Sequence, residues 1–202
     1  MTACVTGASG LIGRRIVAHL LRCGHGVRVL SRNWQQALGP VKVFEGDILE
    51  PDVVDRFVNG ADTIFHCAAE LRDEHRMWEV NVEGTRGLLG AARRHRAGCF
   101  LHLSSVGVVG STRAKLVDEE TLCSPQNSYD RSKWAAEQLV MGSTSTARIV
   151  CLRPTNVIAR ERAGAMKIPM RGSLGDRVRR FVQGGENMHI VHAHNVAAVA
   201  SL

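Results

Sequence analysis

The sequence is poor in three things, and each shortage removes a class of function. Aromatic residues make up only 4% of its 202 positions, with a single tyrosine. Proteins that hold single-stranded nucleic acid stack bases on aromatics set between their basic residues. The net charge of +7 has no such platform. Its arginines fall in periodic segments such as "LLGAARRHRAG" and "DRVRRFVQGG", which read as solvated helix faces, so no nucleic-acid partner is expected. The six cysteines (4, 23, 67, 99, 123 and 151) stand singly with no C-x-x-C pair, which argues against a disulfide framework and for reduced, buried thiols in a cytosolic protein. No apolar run approaches the roughly 20 residues of a membrane-spanning helix. The opening "MTACVTGASG" goes straight into a strand pattern, without the charged and apolar regions of a signal peptide. A soluble, cytoplasmic chain with no membrane partner is therefore expected.

At this length, with 45% hydrophobic residues and no internal repeat, the chain is sized for one core. Short Val, Ile and Leu runs alternate with segments of helical period. "ACVTG" precedes "LIGRRIVAHLLRCG", where Ile12, Ile16, Val17, Leu20 and Leu21 recur at three and four residues. Then follow "VRVLS", "VKVFEG", the helix "EPDVVDRFVNG", the strand "DTIFHCA", a long helix around "EVNVEGTRGLLGAARRH", the strand "CFLHLSS", the helix "SYDRSKWAAEQLVMG" and the strand "ARIVCLRP". Strands joined by helices predict an α/β fold with a doubly wound parallel sheet, its ligands at the carboxyl ends of the strands. After Pro154 the pattern weakens, and "HNVAAVASL" starts a new helix. The expected division is a nucleotide-binding domain over 1–160, then over 161–202 a partial substrate-binding region that returns to the core.

The turn after the first strand reads "TGASGLIG", with Gly7, Gly10 and Gly13. The first glycine permits a tight turn, the second lets the backbone approach a pyrophosphate, and the third lets the helix lie close to the sheet. The helix start then offers free N–H groups and a positive dipole to the anion. Tyr129, the only tyrosine, stands four residues before Lys133; on a helix their Cβ atoms are about 5 to 6 Å apart. An adjacent ammonium favours the phenolate, and lowering a phenol by about three units takes roughly 4 kcal/mol. Ser104 and Ser105 end the strand "CFLHLSS", where a hydroxyl can orient a substrate oxygen beside the phenol. Nucleophilic serine chemistry is disfavoured, since "SSVGVVG" is not a G-x-S-x-G elbow.

Together with "GDI" at 46–48, "FHCAA" at 65–69, "NVEGT" at 81–85, "YDRSK" at 129–133 and "LRPTNV" at 152–157, these residues resemble the extended short-chain dehydrogenase/reductase family, the NAD(P)-dependent epimerase/dehydratase group. The resemblance implies a Rossmann fold with a C-terminal substrate-binding part that is incomplete here, as in a truncated chain. It implies Tyr129 as general acid/base, Lys133 on the nicotinamide ribose, and Ser105 rather than Ser104 as the orienting hydroxyl. Gly7, Ser9, Gly10, Leu11, Ile12 and Gly13 would hold the cofactor. Asp47 and Ile48 would flank the adenine, Ala68 and Ala69 would line the cofactor track, and Asn81 matches an Asn of the family's long helix. Pro154 would border the nicotinamide and Asn156 would touch substrate. The blander alternatives are a helix cap for Asp47, backbone satisfaction for Asn81 and a strand end for Pro154. A homodimer through two long helices is also implied.

NAD-preferring relatives carry an acid at the end of the second strand for the ribose hydroxyls. Ser31 stands there, followed by Arg32. A serine does not repel a 2′-phosphate and an arginine attracts it, so NADP is expected over NAD; a surface arginine in a turn is the alternative. The family's "VHVDDVA" is replaced by "VHAHNVA". His192 and His194 would share a strand face near His189, but no further ligand is evident and no metal is expected. The implied function is hydride transfer at a secondary alcohol or ketone of a small molecule, a nucleotide sugar in the leading reading. An NADPH-dependent ketone or aldehyde reductase, like dihydroflavonol reductases or 3β-hydroxysteroid dehydrogenases, is the alternative. A non-catalytic NADP-binding scaffold is a third. Dehydration is disfavoured because Val106 and Gly107 stand where dehydratases carry an acidic pair.

Overall fold

The computed structural model describes residues 1–35, 38–112, 116–144, 147–159 and 189–201. Six parallel strands form the central sheet in the order β3-β2-β1-β4-β5-β6: β1 (Thr2–Thr6), β2 (Gly26–Ser31), β3 (Val41–Glu45), β4 (Thr63–His66), β5 (Cys99–Leu103) and β6 (Arg148–Leu152). The crossovers are α1 (Gly13–Arg22), α2 (Pro51–Val58), α3 (Glu74–Trp78) leading into α4 (Gly84–Arg94), and α5 (Ser128–Met141). This is the expected doubly wound sheet, and its order reverses between β1 and β4.

Strand side chains alternate between two cores, as the two-residue period requires. Cys4, Ile64 and Phe100 face α2, α4 and α5 together with Phe57, Leu88 and Val140. Val5, Phe65 and Leu101 face the other way and pack with Ile16, Val17 and Leu20 of α1. The latter core is completed by Ala197 and Ala200 of α6 (Ala193–Ala200), which packs on α1. No described helix is long and apolar enough to cross a membrane.

Two sequence expectations are corrected. The long helix starts at Glu74, not near Glu79, because Asp73 caps it by accepting the His75 amide at 3.1 Å. A π-type turn over Glu79–Glu83 inserts a residue and shifts the buried face, which hides the helical period from the sequence. His192 and His194 do not share a strand face. A two-stranded parallel sheet, β7 (Asn156–Ile158) with β8 (Ile190–His192), ends where α6 begins; His192 Nδ1 accepts the His194 amide at 3.2 Å and so caps that helix. The expected boundary near 160 and the segment 160–188 lie outside the described residues.

Candidate active site

The glycine loop is built for close approach. Gly7 has φ +64°, and a Cβ there would lie 2.6 Å from the Ala68 nitrogen and the Cys67 carbonyl. A Cβ on Gly13 would overlap the Gly7 carbonyl oxygen. The turn closes with the Gly10 amide donating to Gly7 O at 2.9 Å. No side chain caps the start of α1 and no acid stands in its first turn, so the positive end of that helix faces the cleft uncompensated. Neither glycine can carry a side chain, so the loop turns tightly against the end of β4 and the start of α1 packs directly on it, its uncapped N–H groups at the cleft, an arrangement that fits the pyrophosphate of a dinucleotide.

That cleft, of about 770 Å³, opens over the carboxyl ends of β1 and β4. Gly7, Ser9, Gly10, Leu11, Ile12, Gly13, Ser31, Arg32, Asp47, Ile48, Ala68, Ala69, Ser105, Tyr129, Pro154 and Asn156 all line it. Asn81 and Lys133 do not. Asn81 is 1% exposed, and its amide is taken up by the Glu70 backbone (2.7 and 3.1 Å) and by the Ser132 hydroxyl at 2.9 Å. Sequence reasoning missed Thr6, Asn33, Glu70 and Thr155 on the cleft wall. Only Glu70, an acid directly after "FHCAA", carried a readable signal.

At the β2 end, the Arg32 guanidinium lies 3.7 Å from Asp47, and Arg76 of α3 reaches the same carboxylate at 3.6 Å. Asp47 does not cap α2, whose N-cap is Glu50; it accepts the Leu49 amide at 3.1 Å. Glu70 Oε1 accepts three successive amides from Leu71, Arg72 and Asp73. Those backbone N–H groups hold its carboxyl below the usual range.

At the β5 end the two serines have different surroundings. Ser104 is 4% exposed and donates to Glu137 Oε2 at 2.6 Å. Glu137 is also paired with Arg153, whose Nε donates at 3.0 Å. Burial works against the Glu137 charge, but Arg153 and Ser104 keep its carboxyl below the ordinary value. Ser105 faces the cleft, and its Oγ accepts the Gly107 amide at 3.1 Å. The Val106 amide donates to the Pro154 carbonyl at 3.0 Å, which ties the exits of β5 and β6 to one cleft edge.

Asn127 caps α5 by accepting the Asp130 amide at 2.8 Å, which aims the first turn and Tyr129 at the cleft. Burial, then Asp130, pushes the Tyr129 phenol up to about 12. Lys133 is 2% exposed, and its Nζ lies 3.4 Å from His102 Nε2 on β5. Burial brings its ammonium down to about 8.

Strand order, glycine cradle and a cleft at the reversal of the sheet define a dinucleotide-binding α/β protein of the Rossmann type. The model of the NAD dependent epimerase/dehydratase family matches residues 3–200, and the chain belongs to that family. It is 34% identical over 170 residues to a 3 beta-hydroxysteroid dehydrogenase/Delta 5-->4-isomerase of Mycobacterium tuberculosis, covering 76% of this chain and 46% of that protein. It is 33% identical over 180 residues to a dTDP-glucose 4,6-dehydratase of Streptomyces niveus, covering 77% and 54%. Among solved structures, a dTDP-glucose 4,6-dehydratase double mutant (DesIV) of Streptomyces venezuelae with NAD bound superposes with a TM-score of 0.81. It is 23% identical, covering 100% of this chain and 71% of that one. The chain spans about half the length of the curated relatives it matches.

Proposed function

We propose that this chain carries the cofactor and proton chemistry of an NADP-preferring oxidoreductase that interconverts a secondary alcohol and a ketone, with a nucleotide sugar as substrate. The reading rests on one observation: Ser105 and Tyr129 line the same cleft as the glycine cradle. The loop over residues 7–13 would hold the pyrophosphate, Asp47 and Ile48 the adenine end, and Ala68, Ala69 and Pro154 the nicotinamide end. A bound nicotinamide supplies the hydride donor or acceptor. Tyr129 Oη holds the proton that the substrate oxygen gains or loses, and Ser105 Oγ orients that oxygen. Lys133, one turn along α5, would contribute positive charge to the phenol from inside the fold; without a nucleotide the lowering expected from that spacing is not seen, since burial and Asp130 raise the phenol to about 12.

The reductase alternative draws on Tyr129. A phenol pushed up to about 12 is protonated at neutral pH, and so is a proton donor to a ketone. Dehydration is disfavoured on packing grounds as well as sequence. A Cβ on Gly107 would overlap Asp130 Oδ1, so an acidic side chain beside Ser105 would have to displace the Asp130 carboxylate.

The test is hydride transfer from NADPH and NADH to panels of nucleotide-sugar ketones and simple ketones, with Tyr129→Phe as control. Turnover on sugar nucleotides that vanishes in the variant is expected. Tight NADPH binding without turnover on either panel would overturn the enzyme reading and leave the scaffold.

A further inference from the structure

Lys133 points away from the cleft, toward the strand beneath it. Its ammonium has only hydrogens to give, so at 3.4 Å the Nε2 of His102 is the acceptor, and the ring proton of His102 stands on Nδ1. Among the described residues, Nδ1 finds no hydrogen-bond partner, although His102 is 0% exposed. The neighbouring imidazole of His66, with ring centroids 5.2 Å apart, is already saturated. Thr85 gives its hydroxyl hydrogen to the Asn81 carbonyl at 2.6 Å, so it accepts from His66 Nε2 at 2.8 Å. His66 Nδ1 then accepts from the Thr6 hydroxyl at 2.8 Å. One buried histidine thus has its tautomer fixed from both sides, while the other has it fixed by the lysine alone. An apolar residue at 102 would leave no orphaned donor; what the imidazole provides in exchange is a lone pair aimed at Nζ.

We propose that His102 is a positioning residue for Lys133: its Nε2 lone pair holds the lysine ammonium behind the cleft wall, as the fixed positive charge on which proton transfer at Tyr129 depends. The consequence for proton transfer rests on the oxidoreductase reading, whereas the contact itself does not.

The groups facing Lys133 come from every packed element. His66 ends β4 and Cys67 follows it, Cys151 lies on β6, and Glu137 lies on α5 itself. Burial pushes the Cys67 and Cys151 thiols up to about 12 and brings His66 down to about 3. All three are neutral at physiological pH, and the Glu137 carboxylate is taken by Arg153 and Ser104. Burial, which lowers Lys133, is therefore opposed at short range by the His102 contact.

The experiment titrates Lys133 by NMR in the full chain, labelled at lysine Nζ and with no nucleotide added. The sequence has four lysines, and Lys133→Arg identifies the signal. A wild-type midpoint near 8 is expected. His102→Leu removes the acceptor and should make the ammonium about tenfold more acidic, a midpoint about one unit lower. In His102→Gln the amide oxygen reaches where Nε2 stands, so the midpoint should stay within a few tenths of wild type. His102→Asn offers its oxygen at the Nδ1 position and should behave as the leucine variant does. If the leucine variant does not fold, the Gln and Asn pair carries the same comparison. Midpoints that are alike in all folded variants, or Gln displaced as far as Asn, would overturn the proposal. Because no cofactor is present, the two readings fail separately. An expected titration in a protein without hydride transfer sinks only the oxidoreductase reading. Hydride transfer with an unmoved Lys133 sinks only this one.

Discussion

Ser104 donates its hydroxyl hydrogen to Glu137 across 2.6 Å, inside the fold, while its neighbour Ser105 turns to the cleft. Both residues follow β5 and line the cleft, but the Ser104 hydroxyl hydrogen is committed to the buried Glu137 carboxylate, which leaves Ser105 as the hydroxyl free to serve a substrate oxygen. Ser104→Ala strips a donor from a buried carboxylate and should cost about 1.5–3 kcal/mol in urea unfolding, with oxidoreductase activity little changed. Ser105→Ala should leave unfolding nearly unchanged and cut kcat by about 100-fold, the scale of one lost donor to the reacting oxygen. The reverse pattern would exchange their roles.

The proposed NADP preference would rest on Arg32, whose side chain is 63% exposed and shares Asp47 with Arg76. A 2′-phosphate would compete with Asp47 for that guanidinium. Arg32→Ala is expected to weaken NADP binding about 10- to 100-fold, as for a lost charge-assisted contact, and to leave NAD binding almost unchanged. Fluorescence titration of both cofactors measures this. Equal NADP affinity in the two proteins would show Arg32 to be an ordinary surface arginine.

The sheet was legible because its cues are local: glycine spacing at 7, 10 and 13, and the change of period from strand to helix. The cleft-lining residues followed, since the loops at the strand ends are short and each motif sits at the end of its own strand. The polar interior was not legible. His102 with Lys133 and Glu137 with Arg153 are pairings between different elements, and no periodicity records them. Asn81 and Lys133 illustrate the limit. Both lie at motif positions, yet their side chains are buried among groups that the sequence could not bring together. His194 was misassigned because His192 both ends β8 and caps α6, and nothing in the sequence shows that the strand stops before His194.

Tyr129 is the only tyrosine, so phenolate absorbance reports it without interference from another phenol. Burial and Asp130 push it up to about 12, whereas a free phenol ionises near about 10. A stopped-flow jump to about pH 10.5, read before the chain unfolds, should show almost no phenolate; a free tyrosine would be more than half ionised there. Burial is the larger cause, so Asp130→Asn should lower the midpoint by only a few tenths. Rapid full ionisation at that pH would mean that Tyr129 is solvated or already stabilised as phenolate.

The buried imidazoles also predict how stability depends on pH. Burial, with the Lys133 ammonium adding to it, brings His66 down to about 3; burial, Lys133 and His66 hold His102 well below its ordinary value. Unfolded, each takes up a proton near about pH 6.5. Between the folded and unfolded values the unfolded chain binds more protons, so stability is complete above about 6.5 and falls as pH drops toward 3. By about pH 5 the loss should be about 2 kcal/mol from His66, with a further loss in the same direction from His102. That pH lies above the range in which carboxylates such as Glu70 and Glu137 take up protons, since both are held below their ordinary values. Urea unfolding at about pH 7.5 and about pH 5 measures the difference. His66→Gln should be less stable at the higher pH, since it gives up a contact to Thr6 or Thr85, but should lose about 2 kcal/mol less between the two. An equal loss in variant and wild type would mean that His66 is protonated inside the fold, against the two hydroxyls that fix it as neutral.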